Sequence, residues 1–179
     1  MKAVFTLLTI IVVAVMATGC NGGNAPGSPT ATSTETVDEL KAGIENKHPS
    51  TYYTLAKKLF TEGTKDEAVF WFYLGQLRYR FYLKASKNLD PSGDPALFAS
   101  LSEVVGRPLN EYAFGDIPKL AETIDKVLEW DETHDNGFTP KQGNEELLKS
   151  IRDGLAGLKD KILTDQERIK AQRKQNGLE

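Results

Sequence analysis

Two histidines, one cysteine and scattered carboxylates are the side chains through which this 179-residue chain can do chemistry. Asp131 and His134 stand three residues apart, so on a helix they share a face and offer two metal ligands. A catalytic zinc site takes three protein ligands and favours histidine. No third ligand accompanies this pair, which reads as the polar end of a helix with His134 near its C-terminus. His48 precedes Pro49 in a connection between helices, and no cluster surrounds it in sequence. Asp90, Ser92 and Asp94 have the odd spacing of a calcium loop. Pro95 stands where such a loop needs glycine, and Leu101 stands where the bidentate glutamate belongs. That stretch reads as a turn followed by a helix cap. There is no G-x-S-x-G elbow, no P-loop and no G-x-G-x-x-G. A carboxylate-only hydrolase would draw on a pair such as Glu103 and Glu111, with Asp131 and His134 nearby, but spacing selects no pair. The expectation is no catalytic constellation, no metal site and no cofactor.

The cysteine has a different setting. Lys2 is followed by an apolar run from Ala3 to Met16, interrupted by Thr6 and Thr9, then by Ala17-Thr18-Gly19-Cys20. A charged start, an apolar middle and small residues make a secretory signal peptide. The run is shorter than the roughly 20 apolar residues that span a bilayer. The segment resembles a bacterial lipoprotein signal, the lipobox, with Ala17 where leucine is usual. The resemblance implies that Cys20 is acylated (palmitate among its chains) and becomes the mature N-terminus. Each buried CH₂ would then contribute about 0.8 kcal/mol to membrane attachment. It further implies, from Asn21, the outer membrane facing the periplasm if the source is Gram-negative. A lipidated Cys20 is no thiol nucleophile and leaves no cysteine for a disulfide, so the fold must stand on its apolar core.

The formal net charge is −3, which gives no support for nucleic-acid binding. The expected organisation is a signal peptide at 1–19, a lipidated cysteine with a flexible tether at 20–35, and a helical domain at 36–179. Gly22, Gly23, Pro26, Gly27 and Pro29 cannot build a core, and such a coil reaches on the order of 20 Å.

From Thr36 onward the apolar spacing is helical. Thr36 and Glu39 form a capping box, as do Thr64 and Glu67. The strongest helix is expected over 65–84. A polar loop follows at 87–94, then a helix capped by Asp94 with Pro95 in its first turn and a stop at Gly106. Residues 107–115 read as an irregular link. Asp116 opens the next helix. The last starts near Asn144 and runs past Ile169, with Leu148, Ile151, Leu155, Leu158 and Ile162 forming a narrow seam of coiled-coil type. That seam is a candidate for self-association. Residues 164–179 are expected to project or fray. The fold class is all-α: a bundle of about five to six helices with a long C-terminal helix.

Tyr52, Leu55, Ala56, Leu59, Gly63, Ala68, Phe72 and Gly75 resemble one degenerate tetratricopeptide or Sel1-like repeat, departing at Arg80 where proline usually closes it. The resemblance implies a helical hairpin with small residues at the close approach. Residues 66–80 are apolar all round through their first two turns. Either that helix is central, or an aromatic face is left for a partner. Trp71, Phe72, Arg78, Tyr79, Arg80 and Tyr82 are the partner-binding candidates; Arg78 and Arg80 either line a groove or pair with surface carboxylates. Otherwise the block resembles small uncharacterised secreted bacterial proteins. The functional expectation is a membrane-anchored, non-catalytic helical module that binds an envelope protein or peptide. Alternatives are an immunity lipoprotein that neutralises a toxin, and a hydrolase of envelope polymers.

Overall fold

The computed structural model describes residues 35–178. The signal segment, Cys20 and the tether up to residue 34 lie outside the described residues. Among those described there are eight α-helices, one 3₁₀ turn and no strand, so the fold is all-α.

Helix α1 (Val37–Lys41) opens on the expected capping box: the Thr36 side chain accepts from the Glu39 N–H, and the Glu39 carboxylate accepts from the Thr36 N–H. Gly43, left-handed at φ 61°, turns the chain into the 3₁₀ segment Ile44–Asn46. Helix α2 (Ser50–Thr61) follows Pro49, whose backbone is already helical at φ −57°, ψ −23°. The capping side chain is therefore His48: its Nδ1 accepts from the Ser50 N–H at 3.2 Å.

Helix α3 (Lys65–Ala85) is the centre of the fold. It packs against α2 most extensively, and also against the four helices that follow. The second expected capping box does not form. Thr64 makes no side-chain cap, its N–H donates to the Leu59 carbonyl at 2.9 Å, and Glu67 turns instead to Lys41 at 2.6 Å and to the Trp71 indole N–H at 3.1 Å. The α2–α3 pair interlocks small against large residues. Ala56 and Ala68 are fully buried, and a Cβ added at Gly75 would lie 2.7 Å from Tyr52 Cβ. Gly75→Ala is thus expected to destabilise. Alanine gains about 1 kcal/mol of helix propensity, but overpacking costs about 1–3 kcal/mol, and no rotation moves a Cβ away. Urea unfolding should show a lower midpoint at unchanged slope.

Helix α4 (Asp94–Val104) lies along α3. Residues 107–115 are not an irregular link. Gly106–Ala113 forms helix α5, with Pro108 in its first turn, where a missing N–H is harmless. Gly106 begins a helix rather than only ending one, because its backbone lies against Phe72: a Cβ there would be 2.8 Å from Phe72 Cζ. Helix α6 (Ile117–Thr133) is capped by Asp116, which accepts from the Lys119 N–H.

Helix α7 (Glu145–Thr164) stops short of the expected length. Asp165 accepts from Lys161 and Arg168, and the chain restarts as helix α8 (Gln166–Gln175). The apolar seam faces inward: Leu148 and Ile162 are buried, while Ile151, Leu155 and Leu158 are half-buried against the core that α3 and α6 share with α7. The seam proposed for self-association is thus used within the chain. The C-terminal end also folds back rather than projecting. Ile169 packs on the core, and Arg173 donates to the Glu111 carbonyl at 2.6 Å and to the Leu178 carbonyl at 2.9 Å.

Candidate functional site

The sequence singled out six side chains of α3, and four of them are interior. Phe72, Arg78 and Tyr79 are at most 1 % exposed and Trp71 is 9 % exposed. As placed, these four face the core rather than a partner. The cause is the central position of α3, which surrounds its aromatic turns with other helices. Arg80 and Tyr82 are half-buried. Arg80 stacks over the Phe98 ring at 5.3 Å and donates to Gln76, with no carboxylate partner among the described residues.

Arg78 pairs with a carboxylate, but a buried one. Its Nε donates to Asp131 at 3.2 Å, one Nη to the Tyr52 hydroxyl at 3.2 Å, and the other Nη to the carbonyls of His134 and Asp135. Asp131 is fully buried, and its second oxygen accepts from Arg152 at 3.0 Å. Lys141 donates to the backbone carbonyls of Asp131 and His134. Burial pushes the Tyr52 hydroxyl up to about 12, against the pull of Arg78. Burial likewise lowers Lys141. This network ties α2, α3, α6 and α7 to the segment after α6. It consumes Asp131 as a candidate acid or metal ligand. His134 caps α6 and stacks flat on Trp130 at 3.9 Å. Glu103 lies exposed beside Arg107, and Glu111 is exposed on α5. The four groups a carboxylate hydrolase would draw on therefore sit in different surroundings. No group of three metal-ligating side chains occurs among the described residues.

A second polar cluster escaped the sequence reading. His48 Nδ1 is 2.8 Å from Ser50 Oγ, and His48 Nε2 is 3.0 Å from Asp94 Oδ1. The Asp94 carboxylate also accepts from the Tyr79 and Tyr82 hydroxyls, each at 2.8 Å. Phe138, Tyr79 and Tyr82 meet the imidazole edge-on at 4.8–5.7 Å. Asp94 was expected to cap a helix with its side chain; instead it reaches across to α3 and to His48, and Gly93 occupies the cap position.

Serine, histidine and aspartate in line are the elements of an activated hydroxyl. Two features make this line a clasp. The Ser50 N–H shares the Nδ1 lone pair with the hydroxyl. The next two N–H groups donate to the carbonyls of His48 and Pro49 at 2.9 and 3.2 Å, so they do not converge on an oxyanion. Burial raises the Asp94 carboxyl, but the Tyr82, Tyr79 and His48 contacts outweigh it and hold the group below the usual carboxylate range. Tyr79 is raised by burial and by its bond to Asp94, and Tyr82 chiefly by its bond to Asp94.

The sign of the pH effect follows. A depressed carboxyl contributes stability above its unfolded value, about 3.9, and loses it as pH falls through the folded value. Asp94→Asn is expected to lower the thermal midpoint at pH 6, with the gap to the parent narrowing only as pH falls below about 4.

The surface also carries a cleft of about 330 Å³ between the α5–α6 corner and α8, lined by Asp66, Tyr112, Lys119, Leu120 and Arg173. Its charges satisfy one another: Asp66 accepts from Lys119 at 2.6 Å and from Tyr112 at 2.7 Å. Those two bonds outweigh desolvation and lower the Asp66 carboxyl.

Helix α4 differs from both clusters. It is rich in Ala, Leu, Phe and Val, yet none of its residues is fully buried. Leu97 and Val104 are 42 % and 64 % exposed and, seven residues apart, share an outer face with Ser100. No described helix is long and apolar enough to cross a membrane.

No family model matches the chain, and no solved structure matches it. The chain is similar to a Haemophilus influenzae protein described only as uncharacterised, with 36 % identity over 87 residues. That alignment takes in 48 % of this chain and 33 % of the relative, so the chain spans about a third of the length of the protein it matches.

Proposed function

We propose that this chain is a lipid-anchored, non-catalytic helical interaction module of a bacterial cell envelope. It is held through Cys20 in the envelope, at the outer membrane facing the periplasm in a Gram-negative host, and contacts an envelope protein through the outer face of α4. The observation that carries this reading is α4 itself. Every long helix around it buries residues fully, whereas α4 half-buries Phe98 and Leu101 and leaves Leu97 and Val104 in water at an apolar cost of about 25 cal/mol per Å². Two further features support it. The α2–α3 hairpin interlocks small and large residues as helical-repeat binding modules do. The buried ionic network and the His48–Asp94 cluster are each internally satisfied, which suits a rigid scaffold better than a reaction centre.

Anchoring is tested by feeding the host an alkyne fatty acid and reading its incorporation on the gel-purified chain. Label is expected on the parent and absent from Cys20→Ser, which should leave the membrane fraction. Equal labelling of both, or none of either, would remove the anchor from the reading.

A further inference from the structure

We propose that α4 is a displaceable cover over the aromatic face of α3, one that opens as a unit while the rest of the helical domain stays folded. The proposal concerns the regulation of the contact surface described above and rests on that reading for its use. The opening itself is read on the chain alone.

Burial changes abruptly along this part of the chain. From Asp94 to Val104 no residue is fully buried; then Val105, Gly106 and Leu109 are. The hinge on that side is the step from α4 to α5, where Gly106 is pinned against Phe72. On the other side a polar loop leads in, with Asn88 left-handed at φ 57° and the Asp90 side chain accepting from the Ser92 N–H. Between the hinges α4 is fastened at four points. Asp94 accepts from Tyr79 and Tyr82 and meets His48. Phe98 packs on Tyr79 at 5.1 Å beneath Arg80. Leu101 is half-buried against the core. Ser102 accepts from Gln76 at 3.1 Å. Two of the four fasteners are polar, and water can replace their partners.

What lies underneath gives the opening its consequence. Phe72, Gln76, Tyr79 and Arg80 fall on one face of α3. Beside them the Tyr53 hydroxyl is buried close to Ser102 of α4, and its ring meets Phe72 and Tyr79. Regions with few buried apolar contacts and mostly exposed backbone are the ones that open below the global unfolding free energy. Opening α4 would add the aromatic strip of α3 to the apolar surface offered to a partner.

The test is amide hydrogen exchange followed by mass spectrometry on the full chain in detergent, without any partner. Amides of residues 97–104 are expected to exchange on the order of tenfold or more faster than those of the α3 centre. Asp94→Asn should speed α4 further and leave it less protected than α3 and α6, and Ser102→Ala should do so more weakly. Exchange of α4 and α3 at one common rate would overturn the proposal. So would an Asp94→Asn chain in which α4 exchanges no faster than in the parent, because the clasp would then not hold the cover. Failure of either kind leaves the Cys20 labelling result untouched, so the two readings fail separately.

Discussion

Asp131→Ala is expected to cost about 3–5 kcal/mol, the range measured when one partner of a buried ion pair is removed. For a domain with about 5–15 kcal/mol in total, that loss places an appreciable fraction in the unfolded state at 37 °C. Arg78 is 1 % exposed and would keep its charge with no carboxylate beside it. It would retain only the Tyr52 hydroxyl and the carbonyls of His134 and Asp135. Arg152 differs: at 21 % side-chain exposure it can turn toward water and Glu132. Arg152→Ala is therefore expected to cost less than Asp131→Ala. The double variant Arg78→Met, Asp131→Leu should recover much of the single-variant loss, because apolar groups of similar size need no hydrogen-bond partners. Chemical denaturation of the parent, Arg78→Met, Asp131→Leu and their combination closes a double-mutant cycle and gives the coupling directly. A single variant within 1 kcal/mol of the parent would show that the pair is not the keystone described above.

Phe72→Ala is expected to cost about 3–5 kcal/mol, the loss usual for a fully buried aromatic ring. Phe72 is 1 % exposed, touches Tyr53 and Tyr73 edge-on, and fills the space against which Gly106 lies. A binding defect in this variant would thus report unfolding rather than a lost contact. Leu97→Asp and Val104→Asp make the opposite pair. Both sites are exposed on α4, so stability is expected to stay within about 0.5 kcal/mol of the parent. Circular-dichroism melts of the three variants separate the cases: Phe72→Ala melts many degrees lower, while the two aspartate variants stay close to the parent.

The helical character of the chain was legible in sequence because it rests on local spacing and capping. The Thr36–Glu39 box, the Asp116 cap and the apolar ladder of α6 all form as their spacing implies. The closeness of α2 and α3 was legible through Ala56, Ala68 and Gly75. The unread features depend on partners far along the chain. Glu67 closes no box with Thr64 and pairs instead with Lys41 of α1. The strongest helix was correctly placed, but its burial on nearly all sides was not decidable from its own residues. Uniform apolarity is compatible with a central helix or an exposed aromatic face. The same limit applies to the polar clusters. Arg78 and Asp131 lie 53 residues apart and meet only through the α3–α6 crossing. His48 was dismissed because its neighbours in sequence are unremarkable, and its three tyrosine and aspartate contacts come from α3 and α4. The outer face of α4 was not legible either, because exposure of Leu97 and Val104 depends on which neighbours fail to cover them.

The central claim is that this is an anchored module whose contact surface is α4, and site-specific photo-crosslinking in the living host tests it most directly. A photoreactive residue at Val104 is compared with one at Lys126, an exposed position on α6. The account predicts a discrete envelope-protein adduct from Val104, none from Lys126, and loss of the Val104 adduct when Leu97→Asp is added or Cys20 is replaced by serine. Adducts of equal yield from both positions, or none from Val104 in a chain shown to be folded and membrane-bound, would contradict it.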